Sequence, residues 1–229
     1  MRAAFIIIGV LILGPNPAPA QYLHDAQSQW QIRASEHFEL QSFYPDRDSA
    51  VLPIAERLLQ EDSRAVGWNV SFRVRLQVYA TLDQYRDLTG EPGWVAASTL
   101  GRTIRLQPIA VLKRKSILES TLRHEIFHVL IDSRARPDTP LWLHEGLVLF
   151  LSSPESSSVP HDSMTAAQID AALRSARNRA ESERAYAAAR GRVARLVAHY
   201  GKEAVLSWLT QGVPADEAGG SGSDDHPRR

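Results

Sequence analysis

The chain has 229 residues, 44% of them hydrophobic, and its 26 basic and 26 acidic side chains cancel. That length supplies a sizeable core, and a balanced charge with no basic stripe argues against a nucleic-acid partner. There is no cysteine, which excludes a disulfide framework and a lipid-modified cysteine near the start.

The first twenty residues, MRAAFIIIGVLILGPNPAPA, carry one early positive charge at Arg2, an apolar run from Ala3 to Leu13, and a Pro-rich stretch ending Ala18-Pro19-Ala20. This is the three-part pattern of a Sec-type signal peptide, with cleavage expected after Ala20. The apolar run is shorter than the roughly 20 residues a bilayer requires, so no stable membrane span is expected after cleavage. The expected location is periplasmic or secreted.

After the signal, WQIRASEHFELQSF reads as strands. SAVLPIAERLLQEDSRAVG has helical spacing, with Val51, Ile54, Leu58 and Leu59 on one face, Asp48 or Ser49 as cap and Gly67 as stop. FRVRLQVYA alternates at Phe72, Val74, Leu76 and Val78, the period of a strand. Thr81 opens a short helix that Gly90 and Pro92 end, and GWVAASTLGRTIRLQP reads as two strands turning near Gly101. Within it Thr103 to Leu106 is expected at the edge of a sheet. A long helix is expected from about Ser116 to Asp132, and a second buried one over PLWLHEGLVLFLSS. SSPESSSVPHDS, which contains His161, reads as loop. Helices broken near Gly191 and Gly201 follow, and 214–229 is a disordered tail by composition. Strands first and helices after predict an α+β fold in a single domain over 21–213.

Two histidines four apart in TLRHEIFHVL, His124 and His128, share one helix face, and Glu125 stands beside the first. Such a pair can grip one metal ion, with the glutamate in reach of a water. Glu125 lies among Leu122, Ile126 and Val129, where a carboxylate without a partner costs several kcal/mol. The next helix holds a further acidic residue in an apolar run, Glu145, flanked by Leu141, Trp142, Val148 and Leu149. Two histidines and one further ligand leave a fourth position open, the arrangement of a catalytic zinc site. His144 adjoins Glu145 in an equally apolar setting, and periodicity does not choose between them. Asp138, in the preceding loop, is a lesser alternative. The pattern HExxHxxGxxH fails, because Ile131 and Arg134 stand at the glycine and last histidine positions.

HEIFH followed by PLWLHEG resembles the gluzincin metallopeptidases, in particular the peptidase MA-like proteins. The resemblance covers roughly residues 70 to 152 and is strongest at the two motifs. It implies a zincin-like fold, with a small N-terminal mixed-sheet lobe whose edge strand lies over the site, an active-site helix, and a helical C-terminal lobe. It implies one Zn2+ held by His124, His128 and Glu145, with Glu125 as the catalytic base, and so favours Glu145 over His144. Leu149 departs from the thermolysin-like pattern, where an aspartate supports the site, and the gap from His128 to Glu145 is slightly shorter than in those relatives.

The expected activity is hydrolysis of peptide bonds in a peptide or protein substrate. Glu125 would take a proton from the attacking water and pass it to the leaving nitrogen. The strand Thr103, Ile104, Arg105, Leu106 would pair with an extended substrate. Asp132, one turn past His128, is a candidate to orient that ring. Tyr186, His199 and Tyr200 are candidates to stabilise the oxyanion. The arginines between 174 and 195 read as a solvated face. A cell-wall peptide amidase would use the same chemistry. A non-catalytic metal-binding or assembly module with the same fold has no need of Glu125.

Overall fold

The computed structural model describes residues 30–153 and 164–219. The signal segment, His161 and residues 220–229 lie outside the described residues. The protein is α+β, and its contacts divide into two compact units with the boundary between Asp132 and Ser133. Among the described residues all strands belong to the first unit, and the second is built of helices.

The first unit is formed around a five-stranded mixed sheet. In chain order its elements are β1 (Gln31–Ala34), β2 (Phe38–Ser42), α1 (Pro45–Asp48), α2 (Val51–Val66), β3 (Val74–Val78), α3 (Leu82–Thr89), β4 (Ala97–Leu100), β5 (Thr103–Leu106), α4 (Ile109–Arg114) and α5 (Leu118–Asp132). The strand order is β1-β2-β3-β5-β4. β2, β3 and β5 run parallel, and β1 and β4 close the two sides antiparallel. Alternation decides the faces. Phe38 and Leu40, Val74, Leu76 and Val78, and Ile104 and Leu106 are buried. The intervening residues form a polar ladder in which Gln77 donates to Gln41 at 3.2 Å, Gln41 to Glu39 at 3.0 Å, and Arg75 to Glu39 at 3.1 Å.

The expected position of Thr103 to Leu106 at a sheet edge is corrected by this topology. β5 is interior, paired to β3 on one side (Val78 with Leu106) and to β4 on the other (Ala97 with Leu106). Its ladder groups are spent on both neighbours, so it has no side on which to add a peptide. The terminal strand on that side of the sheet is β4, where Leu100 is 61% exposed.

Helix α2 buries Val51, Leu52, Ala55, Leu58, Leu59 and Val66, each leucine side chain contributing about 1.5–3 kcal/mol. Gly67 ends it in the left-handed conformation at φ 70°, as glycine allows. Asp48 and Ser49 do not cap it. The residue before the helix is Ala50, and the buried Asp48 instead accepts from the Ser42 hydroxyl at 2.6 Å. Thr81 and Gly90 do bracket α3, the threonine hydroxyl accepting from the Gln84 amide.

Helix α5 packs against α2, α4 and β4. An ionic seam joins it to α2. Arg123 donates to the carboxylates of Asp62 and Glu61, and Arg57 reaches Glu119 at 2.8 Å. Asp62 is buried, and burial pushes its carboxyl up to about 6 against the opposing pull of Arg123.

The second unit contains α6 (Leu141–Ser152), α7 (Ala166–Ser175), α8 (Arg179–Tyr200), α9 (Lys202–Gln211) and α10 (Ala215–Gly219). α6, α7 and α9 all pack on α8. The expected break at Gly191 does not occur, because that glycine is buried within α8, where packing overrides its weak propensity. The break at Gly201 does occur, at φ 85°. Another separates α7 from α8, where Asn178 caps α8 by accepting from the Glu181 amide at 3.0 Å.

Two further expectations change in this unit. Residues 215–219 are helical inside the stretch read as tail. Glu217 accounts for this, since its carbonyl accepts from Arg192 at 2.7 Å and its carboxylate from Arg192 and Tyr200. Nor is the arginine set a uniformly solvated face. Arg192 is buried with its guanidinium 4.7 Å from the Trp142 ring centre, and Arg190 donates to the Ser153 carbonyl at 3.1 Å. No described helix is long and apolar enough to cross a membrane.

Candidate functional site

Helix α5 carries the histidine pair. Nearly its whole circumference is buried, from Thr121 and Leu122 through His124 to Ile131, so its polar residues are held in fixed surroundings. The two rings stack one turn apart, with centroids 4.8 Å apart and Nε2 of His124 3.0 Å from Nε2 of His128. Two nitrogens bound to one tetrahedral zinc at 2.0–2.1 Å lie about 3.3 Å from each other. The pair therefore has the spacing of two ligands of one ion with an adjustment of a few tenths of an ångström.

Glu125 is fully buried beside them. Its carboxylate is engaged from the sheet, the Thr99 hydroxyl of β4 donating to Oε2 at 2.6 Å and lying 3.5 Å from the Glu125 carbonyl oxygen. Asp132 is the last residue of α5 and is exposed.

No family model, curated protein or solved structure matches this chain. The site is therefore judged on its own donors and their surroundings.

In the second unit Glu145 sits on α6. This helix begins after Pro140 without a side-chain cap from its own sequence. Asp170 of α7 supplies one, its carboxylate accepting from the Trp142 amide at 2.6 Å, an anion where the helix dipole is positive. Trp142 and Glu145 are each only 1% exposed. His144 is less buried, and its Nδ1 lies 3.4 Å from Glu145 Oε1.

The residue after Glu145 is glycine for a steric reason. A Cβ on Gly146 would stand 2.6 Å from the Ala189 carbonyl oxygen and 2.6 Å from Val193 Cγ2. Helix α8 approaches α6 too closely for any side chain at this position, and that approach fixes the turn of α6 bearing Glu145.

The remaining candidates divide. Asp138 is in the second unit and its carboxylate is taken by Arg136 through two bonds of 2.8 and 2.9 Å, which hold it below the usual carboxylate range. Tyr186 is half-buried on α8. Tyr200 ends α8 with its hydroxyl on Glu217 at 3.0 Å, and that bond raises its pKa. His199 is exposed, its ring 4.4 Å from that of Tyr200. Thr99 and Asp170 carry no mark in the sequence, and Arg192 reads there only as part of a solvated face. Each acts on a residue distant in the chain, and their types are ordinary for a strand or helix surface. Gly146 did carry a signal, since a glycine inside an apolar helix marks a close approach.

Proposed function

We propose that the protein is a zinc-dependent peptidase of zincin-like fold, with His124, His128 and Glu145 as ligands and Glu125 as the general base. The observation that carries the reading is the convergence of the His124 and His128 Nε2 atoms to 3.0 Å on a buried helix face, with a buried carboxylate at the intervening Glu125. Imidazole nitrogens and a carboxylate oxygen form a donor set that suits zinc. Glu145 is taken as the third ligand on the sequence pattern, HEIFH followed by PLWLHEG, whose resemblance to the gluzincins favours it over His144.

Zinc held there would supply a Lewis acid that polarises the scissile carbonyl and lowers the pKa of water to about 7. The rest falls to the protein. Glu125 takes the proton of the attacking water and returns it to the leaving nitrogen. Its burial keeps bulk water from competing with that transfer. An extended substrate pairs along β4, the terminal strand next to β5, in place of β5 itself. The signal-like pattern of residues 1–20 supports a periplasmic or extracellular peptide or protein as substrate.

The test is metal content per chain in protein beginning at Gln21, beside Glu145→Ala. One zinc in the parent is expected, with affinity reduced by about 100-fold or more in the variant, because even residues that merely support a ligand are worth about 10–100-fold. A metal-replete parent that holds no zinc would leave HEIFH as a core helix and favour the assembly-module reading.

A further inference from the structure

We propose that Thr99 is a positioning residue for Glu125, and that its hydroxyl rather than the helix alone sets the aim of the base. This rests on the peptidase reading above. Thr99 belongs to β4, opposite Ile104 in the ladder with β5. Residues opposite each other on paired strands project to one face, and Ile104 is fully buried on the side of the sheet that α5 covers. The threonine therefore points from strand to helix, and meets Glu125 there.

A threonine hydroxyl has one proton to donate. Two oxygens lie within its range, and the carboxylate Oε2 at 2.6 Å is far closer than the backbone carbonyl at 3.5 Å. A short O–H···O− contact is among the stronger hydrogen bonds. The last torsion of a glutamate is otherwise broad and nearly two-fold, so helix packing can place the carboxyl carbon without fixing the carboxyl plane. The hydroxyl fixes that plane. It commits Oε2 to the sheet and assigns proton transfer to Oε1. A base acts only when its oxygen meets the attacking water in a narrow range of distance and angle, and misplacement by about 1 Å costs on the order of 100-fold in rate.

The experiment compares Thr99→Val and Thr99→Ser with the parent, all zinc-loaded, on a peptide the parent cleaves. Valine keeps the branched shape and strand preference while removing the hydroxyl; serine keeps the hydroxyl. In Thr99→Val, kcat should fall about 10–100-fold while KM stays within about twofold, and Thr99→Ser should recover to within about threefold of the parent. Zinc per chain should equal that of the parent in both. A readout independent of turnover comes from urea midpoints of Thr99→Val made alone and together with Glu125→Gln. The threonine change should lower the midpoint more beside the carboxylate than beside the amide.

Normal turnover in Thr99→Val overturns the role of Thr99 and leaves the peptidase reading standing. So does a serine variant as slow as the valine one, or equal midpoint shifts in both backgrounds. A zinc-loaded parent that cleaves no peptide overturns the peptidase reading, and this role with it.

Discussion

The dipeptide His-Glu occurs twice in this chain, at 124–125 and at 144–145, each time inside an apolar helix. In α5 the histidine meets a second histidine one turn on, at 3.0 Å, and the glutamate receives a hydroxyl from a strand. In α6 the position one turn on from His144 is Val148, and the His144 Nδ1 lies 3.4 Å from the carboxylate of the adjacent Glu145. The burial of both glutamates is nearly complete, yet their surroundings suit them to different work. Glu125 is held by a hydroxyl from the sheet, which suits the base proposed above. Glu145 stands on a turn set against α8 by the missing side chain of Gly146, which suits the ligand proposed above. Identical pairs of residues thus acquire different surroundings from what lies four residues away and across the packing.

That contrast can be broken most sharply at Glu125. Glu125→Gln should hold zinc as the parent does and lose about 10²–10⁴ in kcat, measured by turnover beside metal analysis. Activity near the parental level would remove the distinction between the two glutamates. Next comes the histidine of the second pair. His144→Ala should change zinc affinity by less than about tenfold, against the much larger loss in Glu145→Ala. If the histidine variant loses the metal and the glutamate variant keeps it, the ligand on α6 is His144.

The steric half of the contrast is tested by Gly146→Ala. The added methyl would meet a backbone carbonyl and a valine, so a destabilisation of about 1–3 kcal/mol is expected from overpacking. Thermal unfolding at the parental Tm would show that α6 and α8 can separate at no cost. The smallest effect concerns the support of α5. Asp62 has a pKa near 6 in the fold against 3.8 for the free residue, so the folded state favours its protonated form. Its contribution to stability is therefore greatest below about pH 4 and declines as pH rises through about 6. Asp62→Asn should match the parent near pH 4 and exceed it at pH 7, while still accepting from Arg123. A difference in Tm that does not vary between those pH values would contradict the assignment.

Much of this was legible in the sequence where the cause is local. The alternation at Val74, Leu76 and Val78, the cap at Thr81 and the stops at Gly67 and Gly90 all act within a few residues, and each stands where the spacing puts it. The histidine pair is legible for the same reason, because i and i+4 on a helix are neighbours by geometry. What was not legible depends on partners distant in the chain. Thr103 to Leu106 looks like an edge because its hairpin partner β4 is adjacent in sequence, whereas its other partner β3 lies some 25 residues upstream and leaves no mark on it. The Gly191 break was wrong because tight packing within the helical unit outweighs a propensity of about 1 kcal/mol. Asp48 was a plausible cap by type, and a hydroxyl on β2 claimed it instead.

The contact between Arg192 and Glu217 has a practical consequence for anyone shortening the gene. Composition would place the last useful codon near residue 213. A protein ending there would lack both the carbonyl and the carboxylate of Glu217, leaving the buried guanidinium stacked on Trp142 with those acceptors gone. Trp142 belongs to the same turn of α6 as Glu145, so a truncation chosen on composition would act on the helix that carries Glu145. Poor yield or weak metal retention in such a shortened protein would then report the cut rather than the native molecule. Expression should run to residue 219 at least, with any purification tag placed beyond it.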